Sequence, residues 1–360
     1  MFGLFSFKNP RFRFIIIAVS LTFVACTALI GYVALPAQIK PFGIKNDVIK
    51  APTLIGYGVI KASEIARASG LRIEVDRWVS SKDYPINHVV GQKPLPNQKI
   101  RKGDKVIIEL SGGNTHRDSG EARGQSTVTS EDQRPLQSLP DQSSKSLSGR
   151  VVVIDPGHQR RANLKREPIG PGATETKEKI QGGTTGIKSK RPEYQVTLEI
   201  SKRLKSVLES HGIKVVMVRE THDVNISNAE RAEVANIVNA DLFIRIHADG
   251  ALDPQKNGIS TLYPALNKWT APIYKESLRA ARIVQKSVIE TIGRKDNGII
   301  GRNDISGFNW SKVPVILVEM GFLTNPEEDL LLNDTKHQDL LASGIGDGIV
   351  EHLRTIEESR

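Results

Sequence analysis

Four short runs rich in branched apolar residues recur through the last 210 residues of this 360-residue chain. They are Val151 to Ile154, Lys214 to Val218, Asp241 to Ile246 and Val313 to Val318. They are short and almost uniformly apolar, so each reads as a strand buried on both faces. Segments with helical spacing lie between them. Tyr194 to Ser210 keeps Val196, Ile200, Leu204 and Val207/Leu208 on one face and ends at Gly212. Ser227-x-x-Glu230 is a capping box that opens a helix through Ile237. Ile273 to Ile292 is a long amphipathic helix closed by Gly293, and a last helix runs near Gln338 to Leu353. Strands alternating with helices predict an α/β domain, an open and mostly parallel sheet flanked by helices.

Three of these strands end in residues with useful chemistry. Val151–Ile154 runs into Asp155-Pro156-Gly157-His158, Leu242–Ile246 into His247-Ala248-Asp249, and Val315–Val318 into Glu319-Met320-Gly321-Phe322. Sites in open α/β sheets form beyond the carboxyl ends of the strands. Two histidines and a glutamate therefore converge on one edge. Two His plus one carboxylate make a catalytic zinc set with a fourth position left for water. Glu193, which opens the helix after Pro192, is the best candidate for the missing carboxylate, and Glu167, Glu175 and Glu178 are its rivals. Taken singly, each residue has a plainer reading. Glu193 complements a helix dipole, His247 is a satisfied core histidine, and Glu319 is a structural carboxylate. Their convergence at strand ends favours the metal site. The single cysteine, Cys26, excludes a disulfide framework and a cysteine-rich metal site. It lies in an apolar run, and no G-x-S-x-G elbow is present, which disfavours nucleophilic catalysis.

That apolar run is Phe14 to Leu35, uncharged and long enough to span a bilayer, with Lys8, Arg11 and Arg13 before it. It predicts an N-terminal transmembrane helix at 14–35, a cytoplasmic start at 1–13, and a single-pass protein whose remainder is extracytoplasmic. The alternatives are a cleaved signal peptide, which would leave the protein secreted, and a lipoprotein signal ending at Cys26. Residues 1–46 carry five basic and no acidic side chains, and 47–112 carry eleven and seven. The basic excess thus sits in the first third. A membrane and an anionic envelope polymer fit that distribution, and no groove-reading motif suggests nucleic acid.

Residues 47–113 read as a small α+β module. A helix over Ile60–Ser69 ends at Gly70. Strands follow at Leu71/Ile73/Val75, Val89–Gln92 and Val106–Leu110. Pro52-x-Leu54-x-Gly56, Ala66-x-x-x-Gly70-Leu71, Gln92-x-Pro94-x-Pro96 and Lys102-Gly103-x-x-Val106 make this segment similar to a PASTA repeat. The resemblance implies an extracytoplasmic location and contact with peptidoglycan; the plain alternative is a spacer. Residues 114–149, rich in Ser, Gln, Asp and Arg, read as a disordered tether.

VVVIDPGH, PEYQVTLEIS, NISNAERAEVAN, IRIHADG and VILVEMGFLTNPEED make residues 150–355 resemble the catalytic domain of zinc-dependent N-acetylmuramoyl-L-alanine amidases. The resemblance implies a zinc ion held by His158, Glu193 and His247, a catalytic Glu319, and peptidoglycan as substrate. The bond it implies joins the lactyl group of N-acetylmuramic acid to L-alanine of the stem peptide. A different zinc peptidase of stem peptides and a non-catalytic wall-binding scaffold are the alternatives, and the need for a protein activator is left open. His158 is followed by Gln159 rather than the Gly pair often seen there. Arg160–Arg191 is long for a loop in a compact domain and is expected to form a lid or rim over the zinc. Asn228 and Arg231 are expected to line the groove, or Arg231 to be an exposed helix residue. Asp155 is expected to orient His158 or to close a turn. His211, His222, His337 and His352 read as surface residues.

Overall fold

The structure, a computed structural model, describes residues 47–112 and 147–358. The expected anchor at 14–35, the start at 1–13 and nearly all of the tether lie outside those residues. Among the described residues no helix is long and apolar enough to cross a membrane. Leu147, assigned above to the tether, is buried in the core of the larger domain, so that domain begins slightly earlier than expected.

The small module holds β1 (Val48–Lys50), α1 (Val59–Ala68), β2 (Arg72–Val79), β3 (Val89–Lys93), β4 (Lys99–Arg101) and β5 (Lys105–Ser111). Gly70 follows the helix at φ 74°, the left-handed geometry expected of a residue that stops a helix. β5 pairs parallel with β2 and antiparallel with β3. The sequence missed the additional ribbon of β1 against β4.

The larger domain begins with β6 (Val151–Pro156). A hairpin of β7 (Asn163–Pro168) and β8 (Thr176–Ile180) follows, then α2 (Glu193–Ser210), β9 (Lys214–Met217), α3 (Asn228–Ile237) and β10 (Leu242–Asp249). The second half holds β11 (Ile259–Pro264), α4 (Tyr274–Ile292), β12 (Asp296–Arg302), α5 (Ser306–Asn309), β13 (Val315–Phe322), α6 (Pro326–Leu332) and α7 (Thr335–Glu358). Six strands form one sheet in the order β12-β11-β13-β10-β6-β9. Every pairing is parallel except β11 with β13, so the sheet is mostly parallel as expected. β6, β10 and β13 are buried along nearly their whole length, which explains their unbroken apolar runs. One core layer packs α2, α4 and α7 on the sheet.

The module rests on this domain. Arg67 of α1 pairs with Glu230 of α3. Asn87 Nδ2 donates to the carbonyl of Val215 in β9 at 2.9 Å, and Lys214 Nζ lies 5.1 Å from the Trp78 ring centroid. β9 is the outer strand of the sheet, so the module covers part of an otherwise open edge.

His352 in α7 is a correction. It is fully buried rather than exposed, and neither ring nitrogen has a hydrogen-bond partner. Burial, helped by the Arg279 charge, pushes its pKa down to about 4. The unfolded chain therefore binds an extra proton as pH falls from about 6.5 toward 4, and stability falls over that window by up to about 3 kcal/mol. The urea midpoint is expected to drop from pH 7 to pH 4.5, and to drop less in His352→Leu. An identical drop in both proteins would count against this assignment.

Candidate functional site

The turn after β6 sets the first ligand. Two buried arginines grip its carbonyls. Arg219 donates to the carbonyls of Pro156 (2.9 Å) and Gly157 (2.8 Å), and Arg231 to those of Pro156 and His158, both at 3.0 Å. His158 is thereby held at φ 57°, a conformation uncommon for a residue with a side chain. Its Nδ1 faces the Gln181 carbonyl at 2.9 Å, which aims Nε2 at Glu193. A Cβ at Gly157 would sit 2.6 Å from the His247 ring, so only glycine fits there.

His158, Glu193 and His247 place their donor atoms within 4.8 Å of one another, a group able to hold a metal ion. Glu193 opens α2, with Pro192 as its N-cap. Its Oε2 lies 3.2 Å from His158 Nε2, and its Oε1 lies 3.1 Å from His247 Nδ1. Burial alone would raise the Glu193 carboxyl. The two imidazoles outweigh it and hold the group well below the usual carboxylate range. Burial pushes His247 down to about 4, which keeps its imidazole neutral with a lone pair to offer. His247 Nε2 is buried without a partner, an orphan atom that a cation would satisfy. The donor set therefore fits a metal.

Glu319 stands directly across from His247 in the β10–β13 register. Its Oε2 is buried and unpartnered. Burial, then the Glu193 and Asp249 charges, raise its pKa well above the ordinary value. A cation beside it would offset that repulsion and favour the carboxylate.

Of the expected carboxylate rivals, none joins the cluster. Glu167 is buried and accepts from the Ala229 amide at 3.2 Å. Glu175 and Glu178 line a groove of about 650 Å³ that runs from the metal cluster past Arg302 and Asp304. The segment 160–191 holds the hairpin of β7 and β8. Its hairpin walls this groove, and Lys177 reaches across to Asp304 Oδ2 at 3.1 Å. Its second half is pinned by buried Asp329 of α6, which accepts from the amides of Lys188 (2.6 Å) and Ser189 (2.7 Å). That anchorage fixes the approach to Glu193.

Asp155 and Arg231 differ from expectation. Asp155 makes no hydrogen bond to His158; it bridges Arg231 Nη1 (2.5 Å) and Arg245 Nε (2.8 Å), and all three are buried. The two guanidiniums overcome burial and hold Asp155 at about 2. Arg231 is fully buried rather than exposed, because its helix packs that face on the β6 turn. Arg245, which the sequence reading passed over, also donates to Asn228 Oδ1 at 2.7 Å. Asn228 in turn donates to the Lys179 carbonyl at 2.9 Å, tying α3 to the hairpin. An aspartate closing an all-apolar strand was the available signal, since a buried carboxylate demands a buried cation.

The family whose profile matches residues 152–351 is described as N-acetylmuramoyl-L-alanine amidase. The chain belongs to that family. Residues 49–112 match the PASTA domain. The chain is 28% identical over 239 residues to the N-acetylmuramoyl-L-alanine amidase Rv3717 of Mycobacterium tuberculosis, covering 63% of this chain and 95% of that one. It is 28% identical over 203 residues to the probable cell wall amidase LytH of Staphylococcus aureus, covering 56% of this chain and 58% of that one. Among solved structures, the N-acetylmuramyl-L-alanine amidase Ami1 of Mycobacterium smegmatis superposes with a TM-score of 0.53 at 27% identity, over 58% of this chain and 99% of that one. The apo form of Ami1 from Mycobacterium abscessus gives 0.52 at 27%, over 57% and 100%. The metal cluster thus lies within the residues matched to the amidase family, and the PASTA match lies outside them.

Proposed function

We propose that this chain is a zinc-dependent N-acetylmuramoyl-L-alanine amidase of peptidoglycan, acting on the amide between the lactyl group of N-acetylmuramic acid and L-alanine. The observation that carries this reading is the cluster of His158, Glu193 and His247 with Glu319 beside it, at one end of the groove. Two imidazoles and one carboxylate suit zinc and leave a position for water. Zinc, when bound, lowers the pKa of its water toward ~7 and polarises the scissile carbonyl. Glu319, with its unpartnered Oε2, is placed to take a proton from an attacking water and to return it to the leaving amine. Glu193 balances charge between the two histidines. The hairpin and the Arg302–Asp304 pair border the channel in which the stem peptide lies.

The same reading places the enzyme on the cell membrane by a single N-terminal span at 14–35, with the amidase domain extracytoplasmic. The apolar length of that run and the basic first third support it. The PASTA module then brings the amidase domain to the wall.

The test is product mass. Incubation of the protein with peptidoglycan is expected to release stem peptides with a free L-alanine terminus. Chelation should stop this release, and added zinc should restore it. Products shortened at the other end of the stem would identify a different peptidase. No product and no bound zinc would leave a wall-binding scaffold.

A further inference from the structure

The first turn of α3 does two jobs at once. On one side, Ser227 and Glu230 form the capping box that starts the helix, and Glu230 also pairs with Arg67 of the PASTA module. On the other side, Asn228 links Arg245 to the Lys179 carbonyl, and Arg231 holds the His158 carbonyl at 3.0 Å. The module's grip and the groove's anchorage thus share the five-residue stretch from Ser227 to Arg231. Apolar side chains continue the contact. Ile60, Leu71 and Ile73 of the module and Ile226, Val234 and Ile237 of the domain belong to one apolar cluster and line a cleft that Arg67 and Glu230 border. Asn87 adds its bond to the Val215 carbonyl on the sheet edge.

We infer that the PASTA module is a positioning element of the amidase groove, acting through the first turn of α3, and not only a wall-binding tether. This rests on the amidase reading above. Docking of the module holds Glu230, hence the helix start, hence Asn228 and the hairpin wall. Release of the module loosens that turn and with it the His158 carbonyl. Arg67 and Ile60 are positioning residues: neither lines the groove.

A soluble N-acetylmuramoyl pentapeptide separates the two roles, because it has no wall for the module to hold. With the full-length zinc-loaded protein, Arg67→Glu places two carboxylates together and is expected to lower kcat on this substrate about two- to thirtyfold. Amide hydrogen exchange should rise at residues 228–231. Arg67→Glu/Glu230→Gln removes the repulsion while keeping a capping-box side chain, and should recover most of both losses. Ile60→Glu, at a half-buried module position, should reproduce the loss without rescue. Unchanged kcat and exchange in Arg67→Glu and Ile60→Glu, with loss only on intact sacculi, would overturn the proposal and leave a tether. A loss that Glu230→Gln fails to rescue would also overturn it. An inactive wild-type enzyme would instead refute the amidase reading, while the exchange data would still report on docking.

Discussion

Glu319→Gln is expected to lower amide hydrolysis about 100- to 10,000-fold while leaving the fold and the metal content unchanged. Glutamine keeps the size of the side chain and removes its ability to accept a proton. Glu319 sits opposite His247 on the neighbouring strand with a free, buried oxygen, and the metal cluster lies beside it rather than including it. A metal ligand would behave differently, losing zinc together with activity. Turnover of peptidoglycan and zinc content measured on the same sample distinguish the two. Activity within a few-fold of wild type would remove Glu319 from the reaction.

The second large effect is on stability. Asp155→Ala is expected to cost about 3–5 kcal/mol, read as a fall in the urea midpoint at unchanged slope. Asp155 lies between two guanidiniums, and its carboxylate, Arg231 and Arg245 are all sealed from solvent. Removing the anion leaves two like charges facing each other in a low-dielectric interior. Arg231 keeps its carbonyl partners, but the repulsion pulls on the same turn that carries His158. Metal affinity is therefore expected to weaken as well. A midpoint change equivalent to less than about 1 kcal/mol would mean that water reaches these arginines.

Much of the site was legible because its residues sit where apolar strands stop. Val151–Ile154, Leu242–Ile246 and Val315–Val318 betray themselves by composition, and parallel pairing puts their ends on one edge. His158, His247 and Glu319 follow from that, whereas Glu193 was read from its place at the start of the helix after Pro192. The hairpin did not, because Asn163–Pro168 and Thr176–Ile180 carry charged side chains on both faces and bury little. β12 was missed for a similar reason: Asp296–Arg302 is an outer strand with two glycines and no fully buried residue. Arg231 and His352 were misjudged for a different reason. Polar residues on helices usually face water, and their burial is decided by partners or packing distant in sequence. Asp155 lies 76 residues from Arg231 and 90 from Arg245. No local pattern records such a pairing.

The order of strands across the sheet has a temporal consequence. β13, the last of the described strands in sequence order, lies between β10 and β11, near the centre. During synthesis, therefore, the earlier strands have a gap where their central partner belongs, and Glu319 arrives with the piece that fills it. A chain stopped short of residue 315 is left with two half-sheets and without Glu319. Truncation ahead of that strand therefore removes the centre of the sheet and one wall of the groove in a single step.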